Sequence, residues 1–223
     1  MKKTAVYLMP GLAASPKIFE YIKLPEDLFE IYCLEWILPL SKESLNSYVQ
    51  RICEQIKHQN PVLIGVSFGG ILVQEMTKII DVKKTIIISS VKSNQEFPQR
   101  IKIAKIIKIY RFLPYIWVEN FENFGKYALG KTLKQRFSVY KKYLSVNKAT
   151  YLSWAIKNLI LWDRTIPDHK IIHIHGSNDQ VFPVKNIQNF IEVKGGTHVM
   201  IIDKFKWFNE NLPKIILGFP LDK

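Results

Sequence analysis

Residues 61–66, Pro-Val-Leu-Ile-Gly-Val, form an unbroken apolar run that passes directly into Ser67-Phe68-Gly69-Gly70 and a helical pattern over 68–80. A short apolar run with no polar alternation is buried on both faces, as inner strands of parallel sheets are. Because the strand turns into a helix within about one residue, its neighbours must be reached by crossover connections rather than hairpins. Five further β-branched runs fit the same description, at 4–9, 29–34, 85–89, 170–175 and 190–193. Between them lie helical patterns. Over 44–58 the apolar residues Leu45, Tyr48, Val49, Ile52, Cys53 and Ile56 share one face. A short helical pattern covers 186–190 and a longer one 201–217. Alternation of this kind predicts an α/β fold, a doubly wound, mostly parallel sheet of about six strands.

One segment breaks the rhythm. Residues 91–163 carry no strand pattern and are bounded by strands on both sides, so they read as a helical cap inserted into a core of residues 1–90 and 164–223. Within it, 100–111 and 151–162 are helical. Lys102, Lys105, Lys108 and Arg111 recur three residues apart, opposite Ile103, Ile106, Ile107 and Tyr110. Between Val91 and Ile160 there are fourteen basic residues and three acidic ones, so +11 of the chain's net +13 lies there. That asymmetry marks a separate module or a face turned towards anions.

Composition narrows the class. With 48% hydrophobic and 23% charged residues the chain is globular, not disordered. Cys33 and Cys53 have no metal-type or CxxC neighbours and read as free thiols in a reducing compartment. Met1-Lys2-Lys3 and the apolar residues after it imitate a secretion signal, but Pro10-Gly11 interrupts the run, which is also needed as the first strand. No apolar run reaches about 18 residues, so no transmembrane helix is expected, and the expected location is cytoplasmic.

The chemistry-bearing residues sit where an open parallel sheet gathers reactive groups, beyond the carboxyl ends of its strands. Gly65-Val66-Ser67-Phe68-Gly69 follows a strand and opens a helix, the context in which a G-x-S-x-G string presents a nucleophilic serine. A serine needs a base and an orienting acid. His198, in Gly-Gly-Thr-His, follows the last strand, and Asp179, in Gly-Ser-Asn-Asp, follows the strand before it. Asp163 is an alternative acid.

Through these residues, in the order Ser67, Asp179, His198, the chain resembles the α/β-hydrolase superfamily, specifically its compact, lid-bearing serine members. The likeness runs over about residues 4–202 apart from the cap. It implies an α/β-hydrolase fold with Ser67, Asp179 and His198 as catalytic residues. By the same resemblance the backbone N–H groups of Leu12 and Phe68 form the oxyanion hole, although this chain has Pro10 where relatives often carry His before the glycine. Relatives often begin with two extra antiparallel strands, and here the sheet starts at its first central strand.

The activity implied is hydrolysis of a carboxylic ester or thioester of a small acyl substrate through an acyl-enzyme on Ser67. A lyase or acyltransferase on the same three residues, and a non-catalytic binding protein, are the competing readings. No cofactor and no metal are expected: His173 and His175 face the same side of a strand without further ligands at metal spacing. The basic cap is read either as a solvated face or as a surface that attracts an anionic substrate or an anionic membrane. The chain lacks a nucleic-acid-binding motif, and no nucleic-acid partner is expected.

Overall fold

All six apolar runs become strands. The computed structural model describes residues 3–111, Tyr143 and residues 148–221. Its strands are β1 (Thr4–Met9), β2 (Phe29–Cys33), β3 (Val62–Val66), β4 (Lys84–Ile88), β5 (Ile172–Gly176) and β6 (Ile191–Val193). They pair in parallel throughout, in the order β2-β1-β3-β4-β5-β6. The chain leaves β1 for β2 on one side and returns to β3 on the other, which opens a crevice above the carboxyl ends of β1 and β3.

Side chains alternate across the sheet and divide the core in two. On one face Ala5, Tyr7, Met9, Leu63 and Ile87 pack against the helices α1 (Leu45–Cys53) and α2 (Phe68–Met76). Between those strands Val6, Leu8, Val62, Ile64 and Ile86 point to the other face. There they meet α5 (Met200–Asp203) and α6 (Phe205–Leu217) through Met200, Ile201, Phe208, Leu212 and Ile215. At the inner strands β1, β3 and β4 both faces are covered, which is why those strands carry no polar alternation.

Several boundaries differ from the sequence pattern, for local reasons. β5 starts at Ile172 because Asp168 closes a turn, its carboxylate accepting from Lys170 N–H and its carbonyl from Ile171 N–H. The helical pattern over 44–58 ends as α-helix at Cys53 and continues in tighter i→i−3 bonds from Gln55 and Ile56. The stretch 201–217 divides at Lys204 (φ −107°, ψ 22°) into α5 and α6. No α-helix forms over 186–190. A short 3₁₀ turn, Val184–Asn186, precedes it, Asn189 is left-handed (φ 49°), and the buried ammonium of Lys92 takes the carbonyls of Gln188 and Asn189 at 2.7 and 2.9 Å.

Of the segment 91–163, the described parts are 91–111, Tyr143 and 148–163; the rest of the expected cap lies outside the described residues. Among those described parts the α-helices are α3 (Gln99–Ile106) and α4 (Ala149–Leu161). Tyr151, Leu152, Trp154 and Ala155 of α4 join the core beside α1 and α2, while Ile156 and Ile160 receive Ile101, Ala104 and Tyr110. The isoleucine face expected opposite the cations is therefore only partly used. Ile103, Ile106 and Ile107 are 52%, 76% and 58% exposed, alongside Lys105, Lys108 and Arg111. Among the described residues no helix is long and apolar enough to cross a membrane.

Candidate active site

Ser67 stands between β3 and α2 with φ 53° and ψ −120°, a conformation that side-chain-bearing residues seldom adopt and that costs about 1–3 kcal/mol. Its neighbours hold it there. Its N–H donates to the Ile88 carbonyl at 2.9 Å. Its carbonyl accepts from the Ser90 hydroxyl at 2.7 Å and from Gly70 N–H at 2.9 Å. Two glycines are required by space: a Cβ on Gly65 would strike the backbone of Gly69, and one on Gly69 would strike the carbonyl of Pro10. Strand, turn and helix can approach this closely only without those side chains.

His198 lies in the turn after β6. Its Nε2 is 2.9 Å from Ser67 Oγ and its Nδ1 is 2.9 Å from Asp179 Oδ2. A carboxylate only accepts, so Nδ1 carries the hydrogen and Nε2 is left to accept from the serine hydroxyl. Asp179, in the loop after β5, is buried, and its Oδ1 accepts from Val181 N–H (2.8 Å) and Phe182 N–H (2.9 Å). Burial alone would push its pKa up. The charge and hydrogen bond of His198, the nearby His175 and the Phe182 N–H outweigh burial and hold the carboxyl below its usual value. The arrangement can move the Ser67 proton onto His198 while Asp179 steadies the cation that results.

A second histidine lies behind the acid. His175 Nε2 donates to the Phe182 carbonyl at 2.8 Å and sits 3.6 Å from Asp179 Oδ2. Its Nδ1 is 3.1 Å from Nε2 of His173. Burial lowers the pKa of both rings, that of His173 well below the ordinary value, so both are neutral here. The pair that shares a face of the strand is thus spent on a buried hydrogen-bond chain, and sequence spacing did not reveal its link to Asp179. Among the described residues no group of three or more His, Cys, Asp or Glu is placed to hold a metal ion.

Leu12 occupies the turn after β1, and Phe68 is the first residue of α2, where helical N–H groups have no intrahelical acceptor. The Gly11 carbonyl accepts from the buried Trp36 indole at 2.9 Å, and Ala13 N–H donates to the Tyr151 hydroxyl at 3.2 Å. A cavity of about 20 Å³, room for about one water, is lined by Gly11, Ala14, Ile18, Val66, Ser67 and His198 among others. The structure thus brings Ser67, His198 and Asp179 into one hydrogen-bonded line and sets the Leu12 turn beside them. Asp163 is exposed, and no hydrogen bond joins it to His198. Trp36 and Tyr151 carried no sequence signal beyond being aromatic, because their partners lie 25 and 138 residues away.

Sheet order, elbow and the strand-end position of each polar group together define the α/β-hydrolase fold. Solved structures of that fold superpose on nearly the whole chain. An esterase from Thermogutta terrifontis matches with a TM-score of 0.68 at 11% identity, covering 97% of this chain and 90% of that one. A putative non-heme bromoperoxidase from Mycobacterium tuberculosis matches with a TM-score of 0.68 at 10% identity, covering 99% and 94%. An esterase from Exiguobacterium antarcticum matches with a TM-score of 0.62 at 20% identity, covering 97% and 92%. No protein-family model and no curated protein sequence matches the chain.

Proposed function

We propose that this protein is a serine hydrolase that cleaves a carboxylic ester or thioester of a small acyl substrate. Ser67 Oγ adds to the carbonyl carbon as its proton passes to His198 Nε2, and Asp179 stabilises the imidazolium. The N–H groups of Leu12 and Phe68 bind the oxyanion. The tetrahedral adduct collapses, the alcohol or thiol leaves with the proton from His198, and an acyl-Ser67 ester remains. Water, deprotonated by His198, then releases the acid and restores Ser67. One observation carries the proposal: the unbroken Asp179–His198–Ser67 line at a serine in a strained strand-to-helix turn. Esterases among the fold neighbours agree with it.

Residues 91–163 are the cap that selects the substrate in this proposal. In support, Arg100 donates to the carbonyls of Gln180 and Val181 in the Asp179 loop, and Tyr151 binds the Leu12 turn. The proposed location is the cytoplasm, in keeping with free thiols at Cys33 and Cys53. The test is labelling of the folded protein with a fluorophosphonate, followed by rates on short and long nitrophenyl esters and acyl thioesters. Labelling at Ser67 alone, with ester or thioester turnover lost in Ser67→Ala, is the expected result. A folded protein labelled elsewhere, or not labelled, refutes the assignment.

A further inference from the structure

Trp36 lies in the loop after β2, outside the proton path, and it touches both parts of the proposed oxyanion hole. Its indole N–H donates to the Gly11 carbonyl at 2.9 Å, which also accepts from Ala14 N–H at 3.0 Å. That carbonyl and the Leu12 N–H belong to one planar trans peptide unit, so they point in opposite directions. Fixing one fixes the other. The ring of Trp36 meanwhile lies flat on Phe68, with centroids 5.6 Å apart and planes at 6°. The indole is itself held in place: the Tyr48 hydroxyl bonds both the N–H (3.1 Å) and the carbonyl (2.8 Å) of the adjacent Ile37, and Tyr151 packs edge-on at 5.4 Å. A tryptophan that only filled the core would need a partner for its N–H. It would not need that partner to be the carbonyl of the oxyanion peptide while its face supports the residue bearing the second donor.

We propose that Trp36 is a positioning residue of the oxyanion hole. It sets the direction of the Leu12 N–H through the Gly11 carbonyl and braces Phe68 through its ring. The role rests on Leu12 and Phe68 being the oxyanion donors proposed above. Losing one such donor outright costs about 10²–10³ in kcat. Loosening one while leaving it in place should cost less. Trp36→Phe should therefore lower kcat about ten- to a hundredfold while KM changes less than about threefold.

The experiment measures an aryl acetate and the matching O-aryl thionoacetate, whose sulfur accepts hydrogen bonds weakly. A well-directed donor favours the oxygen substrate, so the ester-to-thionoester rate ratio should shrink in Trp36→Phe. A tryptophan analogue with benzothiophene in place of indole at position 36 keeps the ring and deletes only the N–H. It should reproduce the smaller ratio, and it replaces Trp36→Phe if that variant fails to fold. Wild-type kcat in the analogue-bearing protein, or an equal loss on both substrates, overturns the role of Trp36. Persistent turnover in Ser67→Ala overturns instead the hydrolase mechanism beneath it.

Discussion

Asp179→Asn exchanges one carboxylate oxygen for an NH₂ group at almost constant volume, and the structure dictates which way the amide turns. Val181 N–H and Phe182 N–H both donate to Oδ1, so the amide oxygen of the variant must stay there. The NH₂ group then replaces Oδ2, 2.9 Å from His198 Nδ1. Two donors cannot face each other, so Nδ1 must give up its hydrogen and become the acceptor. The hydrogen moves to Nε2, which can no longer accept from Ser67. In the Ser-His-Asp template this tautomer swap costs about 10⁴ in kcat, roughly 5 kcal/mol of transition-state stabilisation. The fold should survive, because both backbone donors keep their acceptor. Asp179→Ala, by contrast, strands two N–H groups at about 1–3 kcal/mol for each one that stays buried. The assay is kcat/KM on a nitrophenyl ester beside thermal unfolding. The expected result is a loss of about 10³–10⁴ in rate with little change in Tm. A mild Asp179→Asn beside a damaging Asp163→Asn would refute the reasoning and transfer the acid role.

Two other outcomes follow from charge. His173 and His175 are neutral in the folded protein with pKa values pushed below the ordinary 6.5, so the unfolded chain binds more protons as pH falls below that value. Stability should therefore drop on acidification from about pH 6.5, with a slope approaching about 1.4 kcal/mol per pH unit for each histidine; Tm measured from pH 7.5 to 5 checks this, and His173→Gln should flatten part of the decline. Asp179, held below its usual value, adds a further loss only in the more acidic range below the ordinary carboxylate value, where the unfolded carboxyl takes up a proton and the folded one does not yet. If the exposed cations Lys105, Lys108 and Arg111 attract an anionic substrate, raising salt should slow an anionic ester and spare a neutral one of equal length, since exposed charges are screened beyond roughly 8 Å at physiological salt. Lys105→Glu with Arg111→Glu should abolish that difference; an equal salt response for both esters leaves the cations as a solvated face.

The parts of the fold that were legible are those where one physical cause dominates. A strand buried on both faces must be apolar at every position, so Val62–Val66 announced itself. The strand-end positions of Ser67, Asp179 and His198 followed from the same pattern. What stayed hidden depends on partners distant in sequence. For the histidines of β5, spacing reports only that both face one side; that they chain together towards the Phe182 carbonyl appears only once the Asp179 loop folds back. The amphipathic reading of α3 failed in part because helical spacing cannot say how wide a face its neighbour covers. Ile101 and Ala104 pack on Ile156 and Ile160, leaving Ile103, Ile106 and Ile107 exposed. Of Asp163 and Asp179, only Asp179 stands within 2.9 Å of His198, a juxtaposition that depends on how the loops after β5 and β6 fold.

The three loops that meet at Ser67 are all fixed before any substrate arrives. Ser90 and Gly70 hold the Ser67 carbonyl, Val181 and Phe182 hold Asp179, and Trp36 and Tyr151 hold the turn that contains Leu12. Each hydrogen bond contributes on the order of 1 kcal/mol, enough together to offset the strain of about 1–3 kcal/mol at Ser67. Groups already aimed at the transition state need no reorganisation as charge develops, which is where such sites obtain most of their rate. It follows that substitutions behind the site should act mainly on kcat. In the hydrolase proposed above, substrate choice would come from the surface beside these loops, and the described parts of the basic segment, 91–111 and 148–163, are tied to two of them, through Arg100 to the Asp179 loop and through Tyr151 to the Leu12 turn. A change in that segment that spares both ties should alter KM between substrates and leave kcat for the preferred one intact.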